Sequence, residues 1–355
     1  MTARRLGLLE AAAEIAHSVT LSRQWKPESP YFFMVGAGIS MGEPGIPGSA
    51  EIITRCQAVR PGGPALAQSA SALDRYSAWL EYAYPSPQLR QHFFNDLIKD
   101  VKPTAANMRL ANLLHHGGLT RVALTPNFDE LLTKALRLFG AVPVICDHPA
   151  TGARLRSDPG QIKVVHIHGT HLDYDIKNRK AEIETAAQPS PTSVATMAEL
   201  VGWLLTERSP IVVGYAGWES DVFMTALRRH AEGQRLATTL YWFCHTAADA
   251  DSLPPWLRDH DEVVIVGPDS RPPAPDLGSP LAAEEPKLDA ERVFGEIGRA
   301  LEVGAPRIVQ DPLETLCDQL EGFRRDAEQD IFSIASVIER VHLSLPDDSV
   351  RLTAG

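Results

Sequence analysis

Seven short runs of apolar, β-branched and aromatic residues recur along the first three quarters of the chain, and helix-like stretches separate them. Several runs are apolar on both faces, which is typical of strands buried in a parallel sheet between two layers of helices. The alternation predicts an α/β fold, a Rossmann-like doubly wound parallel sheet. The runs are YFFMVG (31–36), RVALT (121–125), VPVI (142–145), IKVVHI (162–167), PIVVGY (210–215), TLYWFC (239–244) and EVVIV (262–266).

Helical patterns fill most of the intervals. Predicted helices cover 127–139, 194–207 and 219–231. The stretch 50–117 interrupts the alternation because it has no good strand and several helix-like pieces, so we predict a helical subdomain inserted after the first strand. Residues 1–19 are predicted to form an amphipathic helix of the domain, since acidic residues lie among the apolar ones and no small-residue cleavage site follows.

The end of the chain has a different composition. Residues 268–287 are rich in proline, alanine and acidic residues and are predicted to be a linker. They separate a main domain predicted over 1–267 from a C-terminal helical segment over 288–355. An apolar stripe in this segment, on one long helix or on two that meet at Gly322, fits either packing back onto the sheet or a homo-oligomer. Its members are Leu313, Leu316, Leu320, Phe323, Ile331, Ile334, Ile338 and Val341.

Charge and cysteine content exclude several classes of protein. The 355 residues carry a net charge of -11, so we expect neither direct nucleic-acid binding nor attachment to an anionic membrane. No apolar run approaches the roughly 20 residues of a membrane span. The four cysteines lie far apart without a C-x-x-C pair, which argues against a structural zinc module and a disulfide-stapled secreted fold. We therefore expect a cytoplasmic protein with reduced thiols.

A glycine-rich turn follows the first predicted strand. It reads Gly36-Ala37-Gly38-Ile39-Ser40, and Gly-Ile-Pro follows at 45–47. Glycines allow a tight turn and the close approach of a pyrophosphate, and a helix N-terminus beyond the turn favours anions. The spacing is not that of dehydrogenases, because their third glycine would fall at Met41, and the chain has no Gly-Lys-Ser/Thr P-loop. The turn fits nucleotide binding or a plain structural turn.

Asn127 and Asp129 follow the second strand, in the segment Thr-Pro-Asn-Phe-Asp. The carboxyl ends of the strands face the ligand crevice of a doubly wound sheet, so both side chains are candidates for contact with a nucleotide. Capping of the next helix is the alternative, because asparagine and aspartate are favoured at helix N-termini.

Three histidines surround the end of the fourth strand. Because side chains alternate between the two faces of a strand, His166 and His168 are predicted to lie on the same face of this strand. His168 precedes Gly169 at the carboxyl end, where a reactive side chain would be presented, and we interpret His166 as a core histidine. A metal site is the competing interpretation, because H-x-H with His171 nearby has the spacing of metal ligands.

A second glycine-flanked turn follows the fifth strand. It begins with Gly214-Tyr215 and ends at Asp221. It is a candidate cradle for a ribose or for the adenine half of a dinucleotide. The alternative is a plain loop in which Ser220 or Asp221 caps the next helix.

Together these four motifs, in this order, resemble the sirtuin (silent information regulator) family over about 31–267. Two departures separate the chain from protein-deacylating sirtuins. Gly48-Ser49-Ala50-Glu51 follows Gly-Ile-Pro where deacylases usually have Asp-Phe-Arg-Ser, and no four-cysteine zinc ribbon follows the histidine. The chain thus resembles the bacterial sirtuin-like NADases of anti-phage defence, which keep the NAD site and lack the zinc module.

The resemblance implies hydrolysis of NAD⁺ to ADP-ribose and nicotinamide, which drains an infected cell of cofactor in abortive infection. NAD is then the substrate and no metal is expected. An NAD-dependent protein deacylase and a non-catalytic sensor of NAD or ADP-ribose remain alternatives, and a metal-dependent hydrolase built on the H-x-H is a more distant one. Relatives act beside operon partners, some with a HerA-type hexameric ATPase and some with an Argonaute.

The resemblance also implies roles for particular residues. Asn127 and His168 are the expected catalytic pair, with Asn127 positioning water or ribose hydroxyls and His168 acting as general base. Asp129 would hydrogen-bond the nicotinamide amide. The expected contacts to the diphosphate are Gly36, Ala37, Gly38 and Ser40, with Pro47 of the Gly-Ile-Pro segment nearby. The expected contacts to the adenosine half are Gly214, Tyr215 and Asp221.

Overall fold

The computed structural model describes residues 3–26, 28–42, 45–156, 158–171, 196–268, 287–304 and 307–344. Its strands form one parallel eight-stranded sheet in the order β1-β8-β7-β6-β2-β3-β5-β4. The strands are β1 (Arg4–Leu6), β2 (Tyr31–Val35), β3 (Val122–Thr125), β4 (Val144–Cys146), β5 (Lys163–His166), β6 (Ser209–Val213), β7 (Leu240–Phe243) and β8 (Val263–Val266). The predicted doubly wound α/β fold is confirmed, and each of the seven apolar runs contributes a strand.

Helices cover both faces of the sheet. Along β2, the side chains of Tyr31, Phe33 and Val35 pack in one apolar cluster, while Phe32 and Met34 pack in a second cluster on the opposite face. All five are buried because successive side chains of a strand point to opposite faces and each face meets a helical layer.

The helices agree in position with the predicted pattern, although several begin later. The helix predicted over 127–139 begins at Leu131, which leaves Asn127 and Asp129 in the turn before it. The helices are α1 (Leu8–Arg23), α2 (Ser49–Val59), α3 (Ala72–Ala83), α4 (Pro87–Ile98), α5 (Ala105–His116), α6 (Leu131–Leu138), α7 (Met197–Glu207), α8 (Val222–Gly233), α9 (Ala247–Ser252), α10 (Pro255–Arg258), α11 (Ala290–Ala300), α12 (Arg307–Gln310) and α13 (Pro312–Ser344), with 3₁₀ turns at Ala37–Ile39 and Pro149–Arg156.

The prediction of one helix over residues 1–19 was wrong at its beginning. Arg4–Leu6 form β1, which pairs in parallel with Val264–Val266 at the edge of the sheet, and the helix starts only at Leu8. Three residues are too few for a strand pattern to be visible. Pairing with β8 therefore decides the conformation that local propensity leaves open.

Residues 50–117, all of which the structure describes, contain no strand. They include most of α2 and all of α3, α4 and α5. A third apolar cluster joins this insertion to the main domain, because Ile52, Leu80 and Phe94 pack together with Leu131 at the start of α6. The inserted helices thereby pack against the segment that follows β3.

The chain divides into two compact units, Met1–Gly304 and Ala305–Gly355. Helix α11 lies in the first unit, where Val293, Phe294 and Ile297 are buried in a cluster that also contains side chains of the sheet. Residues 269–286, most of the predicted linker, lie outside the described residues.

Helix α13 lies in the second unit and continues through Gly322 without a break. The first four members of its apolar stripe are exposed, from 51% at Leu316 to 75% at Leu313. The side chains of the other four members, Ile331, Ile334, Ile338 and Val341, lie outside the described part of the chain. No helix of the described residues is long and apolar enough to cross a membrane.

Candidate functional site at the carboxyl edge of the sheet

The four motifs follow four strands that are neighbours in the sheet. Strands β6, β2, β3 and β5 lie side by side in that order, so their carboxyl ends form one continuous edge. Strand β3, which follows β2 along the chain, lies on one side of β2, and β6 lies on its other side. The topological switch point, where open α/β sheets bind their ligands, therefore falls between β2 and β6.

At the switch point the glycine turn packs directly against the turn after β6. A Cβ placed on Gly36 would lie 2.5 Å from the carbonyl oxygen of Gly214 and 2.8 Å from the Cβ of Tyr215. A Cβ on Gly38 would lie 2.7 Å from the Cα of Gly214. Gly214 itself has a φ of +64°, which side-chain-bearing residues rarely adopt. Glycine is thus required here by contact between two backbone segments.

Most amides of the glycine turn already have partners within the chain. The Gly36 N–H donates to the Val213 carbonyl (3.1 Å), and the Gly38 N–H donates to the Gly214 carbonyl (2.9 Å). Within and just after the 3₁₀ turn Ala37–Ile39, further amides donate to carbonyls of the turn itself. A diphosphate that used these amides would have to displace such bonds.

Asn127, Ser40 and Asp129 form a buried polar network between the ends of β2 and β3. The Asn127 Nδ2 donates to the Gly36 carbonyl (3.1 Å) and to the Ser40 hydroxyl (3.4 Å). The Ser40 hydroxyl donates in turn to Asp129 Oδ1 (3.2 Å), which also accepts the Leu131 N–H (3.0 Å). The network ties the residues predicted for diphosphate, ribose and nicotinamide into one cluster.

Burial raises the pKa of the Asp129 carboxyl. The hydrogen bonds from the Leu131 amide and the Ser40 hydroxyl oppose this change, as do the nearby imidazoles of His166 and His171. Asp129 is 7% exposed, so these neighbours replace much of the hydration that a carboxylate would have in water.

Two histidines hold the backbone of the Asn127 turn. His166 Nδ1 donates to the Asn127 carbonyl (2.8 Å), and His171 Nδ1 donates to the Phe128 carbonyl (3.0 Å). The His171 main-chain N–H donates to the Phe128 carbonyl as well (2.7 Å). His166 is 2% exposed, and its ring lies in the core beneath the turn.

His168 has a different environment from His166. Strand β5 ends at His166, so the alternation that predicted a common face stops before His168 is reached. The His168 Nε2 lies 2.6 Å from Asp221 Oδ1, and Asp221 also accepts hydrogen bonds from the Val222 amide (2.6 Å) and from the Tyr215 hydroxyl. His168 and Asp221 are 6% and 1% exposed.

Two side chains of the inserted subdomain support the glycine turn, and neither was predicted from the sequence. Thr104 Oγ1 (2.5 Å) and Asn107 Nδ2 (2.8 Å) donate to the Ile39 carbonyl, and Asn107 is fully buried. Thr104 caps the N-terminus of α5 by accepting the Asn107 N–H. A cap is recognisable from sequence, but its second bond, to a carbonyl 65 residues away, is not.

The remaining predicted contacts lie at the border of the site. Pro47 is half-buried in the segment just before α2. It takes no part in the described hydrogen bonds around Asn127 or around Asp221. Ala37 begins the 3₁₀ turn. Among the described residues, no group of three His, Cys, Asp or Glu side chains is arranged to hold a metal ion. His166 and His171 bond to main-chain carbonyls, and His168 bonds to Asp221.

A comparison with protein-family models relates this edge to known chemistry. Residues 121–265 match the model described as SIR2-like domain, a range that runs from the start of β3 into β8 and includes Asn127, Asp129, His168 and Asp221. The chain matches none of the curated proteins with which it was compared. Members of the SIR2-like family are NAD-dependent enzymes, and NAD is their substrate. The match at residues 121–265 supports a sirtuin-like fold for this chain, with NAD as its substrate and a function related to NAD.

Proposed function

We propose that this protein hydrolyses NAD⁺ at the bond between nicotinamide and ribose, giving ADP-ribose and nicotinamide. Two hydrogen-bond acceptors at the carboxyl edge carry the proposal: the side-chain oxygen of Asn127, whose amide group is held by Gly36, and the Nδ1 of His168, which has no hydrogen-bond partner among the described residues. Both groups accept hydrogen bonds, which is what a water molecule needs in order to be held and deprotonated.

Asn127 can offer its side-chain oxygen to water. A carbonyl oxygen only accepts hydrogen bonds, so the Asn127 side-chain group that faces the Gly36 carbonyl must be the NH₂. The same NH₂ lies within reach of the Ser40 hydroxyl. The Asn127 Oδ1 is therefore directed away from these partners and can accept a hydrogen bond from a water molecule or from a ribose hydroxyl.

His168 can accept the proton that hydrolysis releases. Its Nδ1 is buried and has no hydrogen-bond partner among the described residues. We expect the water oxygen to bond to C1′ of the ribose as the bond from C1′ to the nicotinamide nitrogen breaks. The bonding electron pair leaves with nicotinamide, which becomes neutral, and the water proton passes to His168 Nδ1.

The substrate itself explains why no general acid is required. The leaving group of NAD⁺ is cationic before the reaction and neutral afterwards, so it departs without protonation. The transition state resembles an oxocarbenium ion, as in other glycosyl transfers. Asp129, beside Ser40 at the end of β3, is our candidate for holding the carboxamide of nicotinamide.

The segment after Gly-Ile-Pro and the positions of the cysteines favour hydrolysis over protein deacylation. The Asp-Phe-Arg-Ser segment of deacylases is replaced by Gly48-Ser49-Ala50-Glu51. Cys146 and Cys244, the cysteines nearest in sequence to His168, are separate buried free thiols. These features argue against an acyl-lysine cleft built beside a zinc ribbon.

Turnover of NAD⁺ with and without an acetyl-lysine peptide tests the proposal. We expect the purified protein to release nicotinamide and ADP-ribose in equal amounts without peptide, as measured by chromatography. Asn127→Ala is expected to lose roughly 100-fold or more of this rate while it keeps its circular dichroism spectrum. Release that requires the peptide and yields acetylated ADP-ribose would establish a deacylase. Saturable NAD⁺ binding without nicotinamide release would establish a sensor.

We further propose that NAD⁺ depletion serves anti-phage defence. The support is the resemblance to defence NADases. Bacteria that carry the wild-type gene with its neighbouring genes should lose NAD⁺ on infection and restrict phage plating, whereas bacteria with Asn127→Ala should not. Equal plating on both strains would contradict the defence role and leave the hydrolase proposal intact. A HerA-type ATPase or an Argonaute encoded beside the gene is the partner we would test first.

A further inference from the structure

Among the described residues, three groups bond to the carboxylate of Asp221. It accepts the Val222 N–H and the His168 Nε2–H on Oδ1, each at 2.6 Å, and the Tyr215 hydroxyl on Oδ2. Asp221 is the residue just before α8 and is 1% exposed. A carboxylate so enclosed by donors of its own chain has little capacity left for the hydroxyls of a ribose.

The contact with Asp221 determines which nitrogen of His168 carries the proton. A carboxylate only accepts hydrogen bonds, so Nε2 carries a proton, and in the neutral imidazole Nδ1 then keeps its lone pair. This Nδ1 is buried without a hydrogen-bond partner among the described residues. A buried acceptor without a partner costs free energy, and such groups are retained where a water molecule or a ligand supplies the missing bond.

The contact also joins loops that begin far apart. His168 follows β5 and Asp221 follows β6, and β2 and β3 lie between these strands. Neighbouring strands are about 4.8 Å apart, so the two strand ends are separated by roughly 14 Å. At least one of the loops therefore extends across the ends of β2 and β3, where the glycine turn and Asn127 lie.

Tyr215 holds the other oxygen of the carboxylate. Burial and the negative charge of Asp221 raise the pKa of Tyr215 well above its ordinary value, so the hydroxyl keeps its proton and donates it to Asp221. The ring is fixed by Phe223 and Trp242, with ring centroids 5.8 and 5.9 Å away. Tyr215 thus connects the packing of the helical layer to the orientation of Asp221.

We infer that Asp221, oriented by Tyr215, is a positioning residue that holds His168 in the Nε2–H tautomer and leaves Nδ1 as the base for hydrolysis. This inference rests on the proposed function and reassigns both residues, which the sequence had suggested as contacts to adenosine. The arrangement follows a general rule, in which a carboxylate on one imidazole nitrogen directs the other nitrogen to the reacting group.

The tautomer can be measured without any turnover. Long-range proton–nitrogen correlations of isotope-labelled histidine distinguish a protonated Nε2 from a protonated Nδ1, and comparison with His168→Gln assigns the signal. We expect His168 of the wild-type protein to be the Nε2–H tautomer. In Asp221→Asn the amide can donate to Nε2, so we expect the proton to move to Nδ1.

Kinetics of the same variant test the catalytic consequence. Asp221→Asn should lower kcat by roughly 100-fold or more, with KM for NAD⁺ changed less than about threefold, because the wrong nitrogen then faces the water. Tyr215→Phe keeps the carboxylate and should lose about tenfold or less. Asp249→Asn, the matched change at an exposed capping aspartate of α9, should retain the wild-type kcat.

Failure of this inference is distinguishable from failure of the proposed function. A wild-type His168 protonated on Nδ1, in a protein that hydrolyses NAD⁺, would overturn the inference and leave the function standing. A higher KM for NAD⁺ in Asp221→Asn with an unchanged kcat would indicate that Asp221 contacts adenosine, and this result would also overturn the inference. If Asp221→Asn does not fold, the wild-type tautomer and the kcat of Tyr215→Phe still decide, and an unchanged kcat there would contradict the orienting role of Tyr215.

Discussion

His166 donates from its Nδ1 to the main-chain carbonyl of Asn127 across 2.8 Å, so the chain segment that presents His168 also holds the turn that presents Asn127. His171 does the same for the Phe128 carbonyl. The two predicted catalytic residues are thus connected through the backbone of one segment, residues 166–171. A change at His166 should act on the position of Asn127, and a change at His168 should act on the chemistry.

The two histidines should therefore differ in how they respond to substitution. His166→Ala should lower the free energy of unfolding by about 2 kcal/mol, from the lost hydrogen bond and the cavity, and activity should fall less than in His168→Gln. His166→Asn, which can still donate to the Asn127 carbonyl, should recover part of the stability. His168→Gln should keep a donor towards Asp221 but lose turnover, because it has no basic nitrogen. Denaturant unfolding and nicotinamide release measure both effects, and full turnover in His168→Gln would show that the wrong histidine has been chosen.

The glycines of the β2 turn should be intolerant of a methyl group. Gly36→Ala would bring its Cβ to 2.5 Å from the Gly214 carbonyl oxygen, and overpacking of this kind costs roughly 1–3 kcal/mol. Gly202→Ala is the matched control, because a Cβ in the middle of α7 meets nothing within 4 Å, and it should stabilise the protein by about 0.5–1 kcal/mol. Thermal melting compares the two. An unchanged Tm in Gly36→Ala would mean that the two turns do not touch as described.

The raised pKa of Asp129 has a consequence for stability against pH. Because the folded chain binds this proton more tightly than the unfolded chain does, the contribution is favourable below the unfolded pKa of about 3.9 and is lost as pH rises through the folded pKa. Asp129→Asn keeps acceptors for Ser40 and Leu131 without the buried charge. Its Tm should exceed that of the wild type at pH 7, by a margin that shrinks towards pH 4.

Glu130→Gln, which removes one charge at the adjacent half-buried residue, controls for net charge in this experiment. A wild-type advantage over Asp129→Asn that grows as pH rises would contradict burial as the dominant influence on Asp129.

We propose that the protein self-associates through the exposed stripe on α13. The stripe repeats at three- and four-residue intervals, and each of its first four side chains is more than half exposed: Leu313, Leu316, Leu320 and Phe323. Leaving such a row of apolar side chains in water costs free energy that a partner helix would recover. The double change Leu316→Glu with Leu320→Glu should shift the mass measured by light scattering to that of a single chain. Glu314→Gln with Glu321→Gln, on the charged part of the helix, should leave the mass unchanged. A wild-type protein that is a monomer at micromolar concentration would contradict self-association.

Much of the architecture could be predicted because buried parallel strands have a local signature. Each of the seven strands predicted from apolar runs is present, and the common edge of the four motifs follows from the rule that carboxyl ends of parallel strands meet. Strand β1 could not be predicted, since Arg4–Leu6 extend only by pairing with residues some 260 positions away.

The partners within the site were beyond prediction for a similar reason. Nothing local indicates that Gly36 faces Gly214, that Asn107 holds the Ile39 carbonyl, or that His168 bonds to a carboxylate 53 residues later. Period-2 geometry grouped His166 with His168, but β5 ends between them and the two rings acquire different partners. Residue types indicate the chemistry, whereas long-range packing decides which atoms remain free to perform it.

The most direct test of the account is nicotinamide release from NAD⁺ by the wild-type protein and by Asn127→Ala, measured with purified chains alone and together with the products of neighbouring genes. We expect the wild type to release nicotinamide and ADP-ribose one for one in at least one of these settings, and the variant to release at least about 100-fold less while it melts at a similar temperature. Wild-type release no faster than that of Asn127→Ala in every setting would contradict the hydrolase at the carboxyl edge of this sheet.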